Sequence, residues 1–366
     1  MAWRDHVPGL DGRRRTDRTD RTDRTDRTDR TEPGASPRAP AGRGGAAARN
    51  RVLQGVTVGA ALLLVIASCG AFGDGADRHE AAGTRPTGPA PTALSLPWPE
   101  EGQSAVWVEG LGSLGAHGGH EPVPIASLTK VMTAYVLLQE HPLSATEPGP
   151  TIEIDATAAA ESGSGSETTA YVWQGQKLSQ RQLLELMLLP SANNIARFLA
   201  RWDAGSQEAF VAKMNRAARE LGMDDTTYTG ASGVEATTRS TARDQLTLAG
   251  EAMKDEAFRS IVAERRATVP GSGTIANTNT LLGRDGVIGV KTGTTTAAGG
   301  NLVWATTVTV HGAKRLVLGA VLHQRAGTGP PEAGPAARDA SAALISALRE
   351  KLPRALEART AEAAGR

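Results

Sequence analysis

Ala126-Ser127-Leu128-Thr129-Lys130 opens a run with Leu128, Val131, Met132, Tyr135, Val136 and Leu138 at helical spacing. That period predicts a helix from Ala126 to about Glu140. It stops ahead of Pro142, because a proline pushes the residue before it out of the helical region. On such a helix Ser127 and Lys130 share one face, roughly 5–6 Å apart at their Cβ atoms. A serine hydroxyl is a poor nucleophile until a base takes its proton. A lysine serves as that base only if burial and nearby cations lower its pKa. Read alone, Ser127 could simply be an N-cap, so the rest of the chain has to decide.

Outward from this stretch, the sequence predicts one folded domain over residues 100–352. A strand at Ser104–Glu109 is followed by a Gly-rich turn region from Gly110 to Gly119. His117-Gly-Gly-His120 lies there, but its glycines argue against the helix that zinc-protease spacing requires. Short strands are expected at Thr151–Ile154 and Thr169–Trp173, with a loop at Ser162–Ser166 between them. Ser179 and Gln182 form a capping box ahead of a helix that runs to Leu189 and is apolar nearly all round, hence buried. Further helices are expected through Trp202, from Ser206 to Leu221, and from Ser240 or Thr241 past Met253. The last third changes period. Strands at Val287–Lys291, Asn301–Val310 and Arg315–His323 precede a closing helix from Ala336 to Lys351, and the latter two strands form a hairpin. Strand first, helices in the middle, hairpin and helix last implies an α+β domain whose chain ends meet on one sheet.

The N-terminal hundred residues read differently. Residues 1–48 hold five consecutive Thr-Asp-Arg triplets from Thr16 to Arg30 and almost no large apolar side chains, the composition of a disordered tail. Residues 49–69 place Arg49 and Arg51 ahead of an apolar run, Val52 to Ala67, that ends at Cys69. The run is short for a spanning helix and suits a signal core. Cys69 stands either where a lipobox cysteine would be lipidated or, incidentally, in an uncleaved anchor. Both place the basic tail in the cytoplasm and everything after residue 70 outside the membrane. Residues 70–99 are rich in Pro, Gly, Ala and Thr and read as a tether; residues 353–366 read as a tail.

Bulk numbers exclude several classes. The formal net charge of +1 gives no electrostatic footprint for nucleic acid. Cys69 is the only cysteine, so an intrachain disulfide and a cysteine-based zinc site are excluded. No cofactor or metal is expected.

Three stretches then fall in order: Ser127-Leu-Thr-Lys130 opening a helix, Ser191-Ala-Asn193 in a helix–helix loop, and Lys291-Thr-Gly293 at a strand end. This set resembles that of the penicillin-recognising serine acyl-transferases. Specifically, residues 100–350 look like a D-alanyl-D-alanine carboxypeptidase of the low-molecular-weight penicillin-binding type. Flanking matches are Met214-Asn215, Leu221-Gly-Met223, Ser240-Thr-Ala-Arg-Asp244, Asn277-Thr-Asn279 and Asn301-Leu302. The resemblance implies a β-lactamase/transpeptidase-like fold, an antiparallel sheet flanked by helices with a helical subdomain inserted. Its substrates would be peptidoglycan stem peptides, and β-lactams its covalent inhibitors.

It also implies roles. Ser127 is the nucleophile and Lys130 its base. Lys291 is a second cation. Ser191 passes a proton to the departing amine, and Asn193 orients Lys130. The backbone N–H groups of Ser127 and Thr294 form the oxyanion hole. Lys291, Thr292 and Arg325 bind the terminal carboxylate, and Gly293 keeps the strand bare so that substrate adds to it as a strand.

The chain departs from the pattern at Ala192, often glycine, at Asn194, often aspartate, and at Thr294-Thr-Thr296, where a bulky ring is usual. Alternatives are a DD-transpeptidase, a catalytically silent wall-sensing module, and a β-lactamase. No Glu-x-x-Leu-Asn stretch lies between Ser191 and Lys291, which argues against the last.

Overall fold

A computed structural model describes residues 94–310 and 312–364. The tail, the signal segment with Cys69 and most of the expected tether lie outside the described residues. Among those described, no helix is long and apolar enough to cross a membrane.

The chain begins with β1 (Gln103–Val108), β2 (Gly112–Gly118) and β3 (Val123–Pro124). A 3₁₀ turn over Ala126–Leu128 leads into α1 (Thr129–Glu140). A helical lobe follows, built from β4 (Thr151–Glu153), α2 (Ala156–Ala160), β5 (Lys177–Ser179), α3 (Gln180–Leu188), α4 (Asn193–Ala204) and α5 (Gln207–Glu220). Then come β6 (Arg239–Ser240), α6 (Ala242–Ala252), α7 (Glu256–Val262), and the hairpin β7 (Arg266–Val269) and β8 (Gly273–Ala276). Strands β9 (Val287–Thr295), β10 (Gly299–Val310) and β11 (Ala313–Gln324) and helix α8 (Pro330–Ala364) complete the domain.

The main sheet is antiparallel in the order β2-β1-β11-β10-β9. The two ends of the domain thus meet where β1 pairs with β11, Val106 opposite Gly319. Both faces are buried, and the strand period of two sorts the side chains. Val106, Val108, Leu302, Trp304, Val317 and Val321 pack against Leu344, Ile345, Leu348 and Leu352 of α8. Ala105, Val303, Ala305, Leu318, Ala320 and Leu322 face the helical lobe. In that lobe α3 is buried nearly all round, and the Ser179–Gln182 capping box is formed, a cap on the order of 1 kcal/mol.

Several expectations are corrected. The Gly-rich stretch after β1 is an edge strand, β2, because pairing with β1 supplies the hydrogen bonds that composition does not reveal. Thr169–Trp173 forms no strand. Buried Ala170 and Val172 alternate with exposed Tyr171 and Trp173, and the Asn194 amide holds the backbone of Ala170. The domain starts before residue 100: Leu96 is buried under α8, with Leu94 and Trp98 packed beside it. The closing helix is longer than expected, running through Pro335 and Pro353 into the segment read as a tail.

Candidate functional site

The 3₁₀ turn at Ala126–Leu128 presents Ser127 half-exposed while its neighbours Ala126, Leu128, Thr129 and Lys130 are buried. Lys130 is among the largest fully buried side chains described. Its Nζ donates to Ser127 Oγ at 2.9 Å, to Asn193 Oδ1 at 2.6 Å and to the Ser232 carbonyl at 2.7 Å. Burial pushes its pKa well below the ordinary lysine value, and the nearby Lys291 and Arg197 push in the same direction.

The three contacts define what the amine does when neutral. A neutral amine has two N–H donors and one lone pair. The Ser232 carbonyl only accepts, and so does Asn193 Oδ1 in the orientation the site imposes. That orientation is set by Glu167, whose carboxylate accepts from Asn193 Nδ2 at 2.8 Å and cannot donate when ionised. Arg197, hydrogen-bonded to Glu167, holds the Glu167 carboxyl below the usual carboxylate range. Both Lys130 N–H groups are therefore taken, and the lone pair is left for the hydroxyl proton of Ser127.

The Ser232 carbonyl was not legible as a site group. Its loop is clamped onto α1 by Thr133 Oγ1, which donates to the Ala231 carbonyl at 2.7 Å. Gly233 closes the clamp. Its φ is +82°, and a Cβ there would stand 2.0 Å from the Ala126 carbonyl oxygen.

On the other wall, β9 is the open edge of the sheet. Lys291 is 1% exposed and donates to the Thr292 carbonyl at 3.0 Å, and burial lowers its pKa to about 7. Thr292 Oγ1 lies 2.6 Å from Thr278 Oγ1. Gly293 has a steric reason besides the one expected. A Cβ there would meet the Ile125 carbonyl at 2.8 Å and the Ser127 and Leu128 nitrogens at 3.0 Å. The glycine is needed for the strand to touch the serine turn, bringing together the segments that carry Ser127 and Thr294.

Ser127, Ser191, Thr292, Gly293 and Thr294 line one cleft of about 250 Å³, with Thr168, Pro190, Thr278, Pro330, Gly334 and Arg338 completing it. Ser191 has a left-handed φ of 74° ahead of α4, and its buried Oγ has no partner among the described residues. A buried hydroxyl left unpaired costs about 1–3 kcal/mol, and a substrate group in the cleft would relieve that.

Arg325 does not join the cleft. It follows β11 with a side chain 60% exposed, 4.0 Å from Glu101. The metal-like group Glu140, His141 and Asp203 lies at the C-terminal end of α1, away from Ser127 and Lys130 at its start, and is an ion-pair network closed by Lys213, 2.6 Å from Glu140 and 2.8 Å from Asp203.

A nucleophilic serine on a helix start, a buried lysine hydrogen-bonded to it and an open strand edge beside them define a serine acyl-transferring enzyme. Residues 105–322 match the D-alanyl-D-alanine carboxypeptidase family, and the chain belongs to it. The D-alanyl-D-alanine carboxypeptidase of Streptomyces sp. strain K15 is 34% identical over 204 residues, 50% of this chain and 67% of that protein. The carboxypeptidase DacB2 of Mycobacterium tuberculosis is 36% identical over 202 residues, 53% of this chain and 65% of that protein. DacC of Escherichia coli is 32% identical over 193 residues, 51% of this chain and 48% of that protein. The chain thus spans about half to two thirds of these relatives.

Among solved structures, the Streptomyces K15 DD-transpeptidase superposes with a TM-score of 0.58 at 29% identity, covering 67% of this chain and 95% of that one. Penicillin-binding protein D2 of Listeria monocytogenes, in its cefotaxime-bound form, gives 0.55 at 26%, with the same coverage. The fold is the transpeptidase-like one that the motif set implied.

Proposed function

We propose that this chain is a serine-type D-Ala-D-Ala carboxypeptidase acting on peptidoglycan stem peptides. Ser127 Oγ attacks the carbonyl that joins the last two D-alanines while Lys130 takes its proton. The tetrahedral oxyanion is received by the backbone N–H groups of Ser127 and Thr294. The C–N bond then breaks, Ser191 hands a proton to the departing D-alanine amine, and water hydrolyses the acyl-serine. β-Lactams acylate the same oxygen. The observation that carries this reading is Lys130 Nζ, buried between Ser127 Oγ at 2.9 Å and Asn193 Oδ1 at 2.6 Å with a lowered pKa.

A second reading, transpeptidation, is favoured by the likeness to the Streptomyces K15 DD-transpeptidase. Incubation of the purified protein with a peptide ending in D-Ala-D-Ala separates the two. The carboxypeptidase reading expects D-alanine release in buffer alone. Release that occurs only when an amine acceptor is added contradicts it.

The same reading places the domain outside the membrane, held by residues 49–69. It is supported by Arg49 and Arg51 ahead of the apolar run and by Cys69 at its end. Intact-mass measurement of membrane-extracted protein decides between the two forms of anchor. A diacylglyceryl adduct on Cys69 supports lipidation, and an unmodified full-length chain removes it.

A further inference from the structure

We propose that Glu167 is a positioning residue for acylation: its carboxylate stands between the Asn193 amide and the Arg197 guanidinium and keeps Asn193 Oδ1 turned toward Lys130. The inference rests on the carboxypeptidase reading above and concerns how the amide of that site is held. Asn193 and Arg197 stand four residues apart on α4, so their side chains leave the same face of the helix. Both reach Glu167. Its Oε2 accepts from Asn193 Nδ2 at 2.8 Å and from Arg197 Nη1 at 3.1 Å, and its Oε1 accepts from Arg197 Nη2 at 2.5 Å. The backbone holds the acid in place, because the Asn193 N–H donates to the carbonyl of the next residue, Thr168, at 2.8 Å. Glu161 takes the other side of the guanidinium, accepting from Nε at 2.9 Å and Nη2 at 2.8 Å.

An amide has a donor end and an acceptor end, and turning it over exchanges them. Two cations near Asn193 compete for its acceptor end. Lys130 Nζ donates to Oδ1 at 2.6 Å. Arg197 is the competitor, since a guanidinium offers only donors. The single oxygen Glu167 Oε2 accepts from both Nδ2 and Nη1, so it separates the amide from the guanidinium. Without it the guanidinium draws Oδ1 to its own side, and Nδ2 then points at Lys130. An N–H aimed at the neutral amine occupies the lone pair that has to take the Ser127 proton.

The charges around Lys130 give the pair a second signature. Glu167 and Glu235 favour its ammonium form, and Lys291 and Arg197 oppose it. Loss of Glu167 and loss of Arg197 therefore push the Lys130 pKa in opposite directions.

The test follows acylation of the full-length chain by benzylpenicillin across pH, for wild type, Glu167→Ala, Arg197→Ala and the double variant, with thermal melts to report folding. The quantity compared is the limiting second-order rate at high pH, where Lys130 is neutral. Glu167→Ala is expected to lower it by about 10- to 100-fold, the range for a lost hydrogen bond to a charged group. Arg197→Ala leaves Glu167 on the amide and should lower it far less. Adding Arg197→Ala to Glu167→Ala should return most of the loss, because no donor is left to draw Oδ1 away. The acid limb should move to lower pH in Glu167→Ala and to higher pH in Arg197→Ala. If Glu167→Ala melts early, Glu167→Met, which keeps the length of the side chain without its charge, repeats the comparison. A double variant as slow as the Glu167 variant, or slower, means that the ion pair only braces the cleft wall and overturns the assignment. An unchanged limiting rate in a folded Glu167 variant does the same. Wild-type protein that benzylpenicillin does not acylate overturns the catalytic reading itself, a failure distinct from that of Glu167.

Discussion

Asn193→Ala isolates the step on which the mechanism turns. Asn193 Oδ1 accepts from Lys130 Nζ at 2.6 Å, and the Lys130 side chain is fully buried, so water does not replace the lost acceptor. A hydrogen bond to a charged group contributes about 1.5–3 kcal/mol. At about 1.4 kcal/mol per factor of ten, acylation by a fluorescent penicillin should slow by about 10- to 150-fold. The pH profile carries a second signature. Oδ1 favours the ammonium form of Lys130, so its removal lowers a pKa that burial, Lys291 and Arg197 already depress. The amine must be neutral to take the proton, so the acid limb of the rate profile should move to lower pH while its ceiling falls. Glu167 loses one partner but keeps Arg197, so the fold should persist, as a thermal melt would report. An unchanged rate, or an acid limb that moves to higher pH, would refute the assigned role of the amide.

Two further outcomes follow from the other cleft wall. Lys291 has a pKa of about 7 in the folded chain against 10.5 unfolded, so the unfolded chain binds the extra proton between those values and wild-type stability rises with pH across that window. Lys291→Met should therefore be more stable than wild type at pH 6, by up to about 5 kcal/mol, with the advantage fading by about pH 10. Urea unfolding at several pH values checks this, and a pH-independent difference contradicts it. Gly293→Ala would put a methyl group 2.8 Å from the Ile125 carbonyl and 3.0 Å from the Ser127 nitrogen. The turn has to yield, at about 1–3 kcal/mol of stability. Loss of oxyanion geometry should slow acylation by about 100-fold or more, and a near-wild-type rate argues against that contact.

What was legible in the sequence was local or ordered along it. The Ser179–Gln182 box marks the start of α3, the alternation of residues 301–323 gives the β10–β11 hairpin, and three spaced motifs mark the cleft. What stayed hidden depends on partners far away in the chain. Strand β2 is made by pairing with β1, against its own glycine content. Helix α8 continues through two prolines because its buried face is held against the sheet. Glu167 reads as a loop acid until Asn193 and Arg197 are brought beside it, and the Ser232 carbonyl carries no side-chain signal at all.

The central claim is that Ser127 Oγ is the atom acylated, with Lys130 as its base. Peptide mass mapping after incubation with benzylpenicillin tests it directly. The account predicts one penicilloyl adduct on the peptide containing Ser127, absent in Ser127→Ala and strongly slowed in Lys130→Ala. An adduct on another residue, or labelling that survives Ser127→Ala, would contradict it.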